Sequence, residues 1–186
     1  MTLRHEQAPT GIPSAVAANV AAQIPTLVSD ALLLRAPTVE DFPLYADILC
    51  TERGQYMGGP LSRDDAWWDF VQLASGWMLH GHGGWSIVDV DSEELLGFVI
   101  LGLEPGDAQI ELGFLVSEQN EGLGIAFEAA QMAREFAFDT LNLSELASYI
   151  RKDNARSIAL AERLGAKRTV HDDTMLAYIH TSEAVQ

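Results

Sequence analysis

The sequence predicts one α/β domain, built on a single mixed, mostly antiparallel sheet flanked by helices. Three observations carry that prediction. Apolar runs at 85–90, 95–103 and 109–116 are separated by the turns Asp91-Ser92-Glu93-Glu94 and Pro105-Gly106-Asp107. Turns this short join antiparallel neighbours, since a parallel crossover needs a dozen or more residues. Two capping boxes, Thr38-x-x-Asp41 and Ser62-x-x-Asp65, open helical patterns ahead of these runs. A Gly122-Leu123-Gly124 turn then joins the last of the three runs to an apolar helix.

In chain order, residues 1–23 form a leader of undefined structure, and a single domain occupies 24–186. The apolar run 24–35 reads as the first strand, with a break near Ser29-Asp30. After the first capping box, Phe42, Tyr45, Ile48 and Leu49 share one helical face. The glycine-rich stretch 54–60 ends that helix. The second box opens a helix whose buried stripe is Ala66/Trp67, Phe70/Val71, Ala74 and Trp77/Met78. Glycines at 81–84 break it, and the meander follows as the second, third and fourth strands. A helix spans 125–140 and a fifth strand 147–151. A helix at 154–164 stops at Gly165, and a last strand occupies 174–180.

Composition narrows the class. Hydrophobic residues make up 48% and charged residues 20%, the balance of a folded chain rather than a disordered one. No apolar run reaches the roughly 18 residues of a membrane span. Pro13 precedes the alanine-rich segment 14–27 and Asn19, Gln23 and Pro25 interrupt it, so it does not read as a signal peptide. A lone Cys50 has no partner within the chain, which fits a reducing cytoplasm. The net charge of -16 disfavours nucleic acid and attracts cationic small molecules or basic peptides, although solubility alone is its simpler reading.

The chemistry concentrates at 110–130. Gly122 and Gly124 let main-chain N–H groups crowd together, and the helix start adds partial positive charge, which makes a phosphate cradle. A Walker loop is excluded, because no Gly-x-x-x-x-Gly-Lys-[Ser/Thr] string exists. A dinucleotide fingerprint is disfavoured, because Phe127 stands where a third Gly or Ala belongs. A second element, Asn154-Ala155-Arg156-Ser157, opens the helix after the fifth strand. Taken alone, Asn154 is an ordinary N-cap and Ser157 a solvated helix position.

Taken together, these elements resemble the GNAT superfamily of N-acetyltransferases. The likeness covers about residues 24–180. It is strongest at Glu111-Leu112-Gly113-Phe114, at the 121–130 loop and helix, and at Asn154-x-x-Ser157 ahead of Arg163-Leu164-Gly165. Within the superfamily the chain is similar to the ribosomal-protein N-acetyltransferase group (RimJ/RimL type). The resemblance implies a sheet splayed between its fourth and fifth strands, with acetyl-CoA as cofactor. It lays the pantetheine arm in the gap, against Phe114, Leu115 and Val116. It sets the pyrophosphate on the loop of Glu121, Gly122, Leu123, Gly124, Ile125 and Ala126, and brings Asn154 and Ser157 to the cofactor. The implied reaction is direct acetyl transfer to a primary amine in a ternary complex. The acceptor is a peptide N-terminus or a small amine, expected to be cationic. Glu111 is the expected general base, through a water, and a backbone N–H of the fourth strand the oxyanion donor.

The chain departs from the family pattern at three positions. Glu121 stands where Gln or Arg is usual, and Leu123 where Arg or Lys is common. A carboxylate beside a pyrophosphate is unfavourable unless it points away. Ala161 stands where many members carry a Tyr that protonates the leaving thiolate, which leaves Ser157, Tyr149 or water as the acid. These departures keep open a second reading: a non-catalytic module of the same fold that binds acyl-CoA and acts through a partner. The leader leaves open a homodimer. His80 and His82 have no third ligand at metal spacing, so no metal is expected. Trp67 and Trp77 read as core, Trp68 as a pocket candidate, and Asp64 and Asp65 as helix-start charges.

Overall fold

The computed structural model describes residues 3–182. Its strands are β1 (Leu27–Val28), β2 (Leu32–Arg35), β3 (Gly84–Asp89), β4 (Leu95–Gly102), β5 (Glu111–Val116), β6 (Glu145–Arg151), β7 (Lys167–Val170) and β8 (Met175–Thr181). Its α-helices are α1 (Ile12–Ala21), α2 (Phe42–Leu49), α3 (Arg63–His80), α4 (Ile125–Glu135) and α5 (Ala155–Arg163). The strands form one open sheet in the order β1-β2-β3-β4-β5-β6-β8-β7. Every neighbouring pair is antiparallel except β5 and β6, which run parallel.

Alternation along the strands sorts side chains to two faces. On one face Trp85, Ile87, Val99, Leu101 and Leu112 pack against Ala129, Ala130 and Ala133 of α4. On the other, Phe98 and Leu115 pack against Phe42, Tyr45 and Leu49 of α2 and Phe70 and Leu73 of α3. A smaller cluster, Ile150, Ala161, Leu176 and Tyr178, seats α5 on β6 and β8. The meander and the helices opened by capping boxes stand where the sequence places them. Ser62 accepts the Asp65 N–H at 3.1 Å, and Asp41 accepts the Thr38 N–H at 2.8 Å.

Four details depart from the sequence reading. The run 24–35 is a hairpin, not one strand. Ser29 Oγ accepts the Leu32 N–H at 2.9 Å and donates to Glu128 at 2.6 Å, so the chain turns there. The helix expected over 125–140 widens into a π-helical turn at Phe136–Thr140, with the Leu141 N–H bonded to Phe136 O at 3.1 Å. The strand β7 has no sequence signal. All its residues are exposed, so no apolar alternation marks it, and Lys167 and Arg168 protect the sheet edge. Within the leader, α1 buries no residue, but Glu6 is ion-paired with Arg63 at 2.6 Å and His5 meets the Trp67 ring edge-on at 4.7 Å.

One buried carboxylate ties the start of α2 to β2 and β3. Asp41, 3% exposed, takes both arms of the Arg35 guanidinium at 2.7 and 2.8 Å and the Ser86 hydroxyl at 2.7 Å. Removing one partner of such a pair leaves the other charge uncompensated. Asp41→Ala is expected to cost about 3 kcal/mol of stability in urea unfolding. A loss under about 1 kcal/mol would show that the knot contributes little.

Candidate active site where two strands part

The strands β5 and β6 share one register position, Glu111↔Ala147, and then diverge. The Ala147 N–H bonds Ile110 O at 3.0 Å. One step further the ladder is replaced by side chains. Ser148 Oγ donates to Leu112 O at 2.7 Å, and the Tyr149 N–H donates to Glu111 Oε1 at 3.3 Å. His180 Nε2 lies 3.1 Å from Ser148 Oγ, whose hydrogen is already given to Leu112. That makes Nε2 the donor, and the buried Nδ1, without a partner among the described residues, fits a neutral imidazole. Burial pushes His180 down to about 4, consistent with that form. The fork is therefore pinned at its base and open beyond it.

Antiparallel pairing decides which backbone groups face the opening. The Ser117 N–H bonds Leu96 O at 2.9 Å, so Ser117 faces β4. By alternation Leu115 faces β4 too, while Phe114 and Val116 face the gap. Of the three residues expected to meet a pantetheine arm, Leu115 thus has its amide in the ladder and its side chain in the core. The free edge consists of Phe114 and Val116.

The glycine loop has the geometry of a phosphate cradle. Gly122 (φ 77°) and Gly124 (φ 88°) are left-handed, a conformation that favours glycine. Gly124 is the N-cap of α4, and no side chain caps that helix start. The N–H groups of 122–124 have no backbone partner among the described residues. Leu123 is exposed at the loop tip. Glu121 does not point into the cradle. Its Oε1 is held by Arg53 at 2.8 Å and its Oε2 by Arg156. Sequence reasoning missed both arginines. Arg156 stands inside the Asn154–Ser157 element as a spacer, and nothing local marks Arg53.

Asn154 is an N-cap: its Oδ1 accepts the Ser157 N–H at 3.2 Å. Neither Asn154 nor Ser157 lines the cavity that Glu111 lines. Ala161 is buried against β6 and β8, and a small residue completes that core.

A cavity of about 390 Å³ opens beside the fork, between α3, the 56–58 turn and the ends of β4 and β5. Asp69, Glu104, Glu111, His82 and Tyr149 line it, and among the described residues no Lys or Arg does. Burial pushes Glu111 up to about 7, against the Tyr149 N–H bond that lowers it, with Asp107 and Glu104 adding repulsion. Asp69 is raised by burial despite accepting the Tyr45 hydroxyl at 2.6 Å. Glu104 is raised by burial and then by Asp69 and Asp107. The Tyr149 hydroxyl donates to Gln109 at 2.9 Å. Among the described residues no cluster of metal ligands forms, and His82 Nδ1 sits 2.7 Å from Leu101 O. Trp67 packs on Phe42 and Trp77 donates to Gly84 O at 3.0 Å, while Trp68 is exposed and does not line the cavity.

A mixed sheet forked beside a glycine cradle, with a buried carboxyl at the fork, is the arrangement that the resemblance in the sequence implies for an acyl-CoA-dependent transferase. Residues 31–167 match the acetyltransferase (GNAT) domain family, and the chain belongs to it. It is an N-acetyltransferase, and its acyl donor is acetyl-CoA. The acetyltransferase from Agrobacterium tumefaciens str. C58 is 36% identical, with a TM-score of 0.82 over 86% of this chain and 95% of that one. An uncharacterized N-acetyltransferase p20 from Bacillus licheniformis is 29% identical over 77% of this chain and 83% of its own. A spermidine N(1)-acetyltransferase from Escherichia coli (strain K12) is 26% identical over 52% of this chain and 53% of its own.

A carboxyl whose folded value is raised stabilises the fold below its unfolded value, and that stability is lost as pH rises through the folded one. For Glu111 the window runs from its ordinary 4.5 to about 7. The loss is on the order of 3 kcal/mol. Glu111→Gln is therefore expected to be nearly neutral at pH 4 and more stable than the parent at pH 8 in urea unfolding. A difference that does not change with pH would contradict the burial of this carboxyl.

Proposed function

We propose that the protein transfers acetyl from acetyl-CoA to a primary amine of a small cationic acceptor, with Glu111 as general base. One observation carries this reading: Glu111 stands at the fork, lines the amine-side cavity, and is pushed up to about 7. Acetyl-CoA supplies a thioester carbonyl open to attack by an amine. An ammonium does not attack, so its proton must leave first. Glu111 takes that proton, directly or through a water, and a base near neutrality does so without binding it too tightly. The N–H groups of Phe114 and Val116 face the gap about 7 Å apart, so one of them, not both, donates to the carbonyl oxygen as charge gathers there. Tyr149, whose hydroxyl burial keeps protonated, is better placed than Ser157 to return a proton to the departing sulfur.

The acceptor's charge follows from the cavity wall. Glu104 is repelled by Asp69, and Glu111 by Glu104, with no Lys or Arg lining the cavity among the described residues, and a bound ammonium relieves that repulsion. Similarity to a spermidine acetyltransferase over half the chain supports a polyamine. A peptide N-terminus is the second reading, supported by the resemblance to ribosomal-protein acetyltransferases. The lone Cys50 supports a cytoplasmic location.

Turnover of spermidine, followed by CoA release, tests the proposal. Glu111→Gln is expected to lower kcat/KM by about 10²-fold or more and to remove the pH limb near 7. Unchanged turnover would remove Glu111 from this role. Raising salt from 50 to 500 mM, roughly a Debye length of 14 to 4 Å, is expected to raise the KM for spermidine several-fold. A salt-independent KM, or faster turnover of peptide N-termini, would redirect the acceptor assignment.

A further inference from the structure

We infer that Arg53 and Arg156 are phosphate-binding residues for acetyl-CoA, and that Glu121 holds their place until the cofactor arrives. The inference rests on acetyl-CoA as the donor and concerns how this chain compensates a loop without its own cation.

Arg53 lies in the 3₁₀ turn Glu52–Tyr56, and Arg156 in the first turn of α5. They reach Glu121 from opposite sides of the fork: Arg53 from beside β5, Arg156 from beyond β6. Both grip the same carboxylate, one oxygen each. Arg53 Nη2 also donates to Val116 O at 2.8 Å, a carbonyl that faces the gap. The three side chains therefore form a clasp across the mouth of the fork. It stands next to the unpartnered N–H groups of 122–124 and the uncapped start of α4.

The clasp is odd in a chain of net charge -16 with 11 Lys and Arg. Other arginines answer their own partners: Arg35 binds Asp41, Arg63 binds Glu6, and Arg151 binds Asp153. At the phosphate loop, two are spent on one carboxylate that is itself only partly buried. Arg156 is 82% exposed at its side chain, so its pair with Glu121 is a weak, solvated one. Phosphate oxygens offer an arginine stronger, charge-assisted bonds than an exposed carboxylate does. Exchange of partners thus favours the phosphate, and leaves Glu121 free to turn to water. When Arg53 follows, Val116 O is uncovered for the arm lying in the gap. The positive charge missing at positions 121 and 123 is supplied by residues distant in sequence.

Calorimetric titration of the whole chain with acetyl-CoA tests this. Arg156→Gln and Arg53→Gln are each expected to weaken binding by about tenfold. Glu121→Gln, which frees both arginines, is expected to tighten binding by about threefold or more, and to do less in an Arg156→Gln background. If Arg53→Gln fails to fold, the exposed Arg156 and the Glu121 variant still decide the matter. Weaker binding in Glu121→Gln would overturn the placeholder role and leave a clasp that merely props the loop. Unchanged affinity in Arg156→Gln would overturn its contact with phosphate. Dephospho-CoA, which lacks the 3′-phosphate, separates the sources. A persistent arginine effect assigns the pyrophosphate, and a vanished one assigns the 3′-phosphate. No binding of acetyl-CoA by the unaltered chain would instead sink the cofactor assignment itself.

Discussion

Two neighbouring strands that pair at one position and then part create everything functional in this fold. A sheet normally satisfies its backbone groups by continuing the ladder. Here β5 stops pairing with β6 after Glu111↔Ala147, so Phe114 and Val116 keep amides directed at an open gap. The base of the gap survives because side chains take over the ladder's work. Ser148 occupies Leu112 O, His180 supports Ser148, and Glu111 accepts the Tyr149 N–H. Glu111 thus replaces a strand carbonyl at the same place where we propose that it acts as the base. Its hydrogen bond fixes where the carboxyl sits, and the burial that comes with that place lifts it toward neutrality.

Charge is divided along the same line. On the cavity side, carboxylates gather without a cation, which suits an amine arriving as an ammonium. On the loop side, where we propose that the phosphates of acetyl-CoA bind, an otherwise acidic protein must accept a ligand with several negative charges. The left-handed glycines and the open start of α4 provide directed N–H groups there. The Arg53–Glu121–Arg156 clasp brings cations to the same place while keeping them paired.

The sequence was most legible where structure is local. Short turns dictate the antiparallel meander, and the two capping boxes mark helix starts at Thr38 and Ser62. The glycine spacing marks the loop. It was least legible where partners lie far apart. Arg53 is 68 positions from Glu121, and no pattern near either announces the bond. The exposed strand β7 buries neither face and so carries no apolar period. That Leu115 turns to β4 while Phe114 and Val116 turn to the gap depends on register, which the sequence alone does not state. The place of Glu111 before Leu112-Gly113-Phe114 singled it out, but its near-neutral carboxyl comes from burial at the fork, a tertiary effect.

The central claim is that the unpaired edge of β5 is the cofactor's seat. Residue-resolved amide hydrogen exchange, with and without acetyl-CoA, tests it most directly. The N–H groups of Phe114 and Val116 should gain strong protection with cofactor, together with those of 122–124. Leu115, already in the ladder with β4, should change little. Protection that spares Phe114 and Val116 while acetyl-CoA is bound would place the cofactor elsewhere and contradict the account.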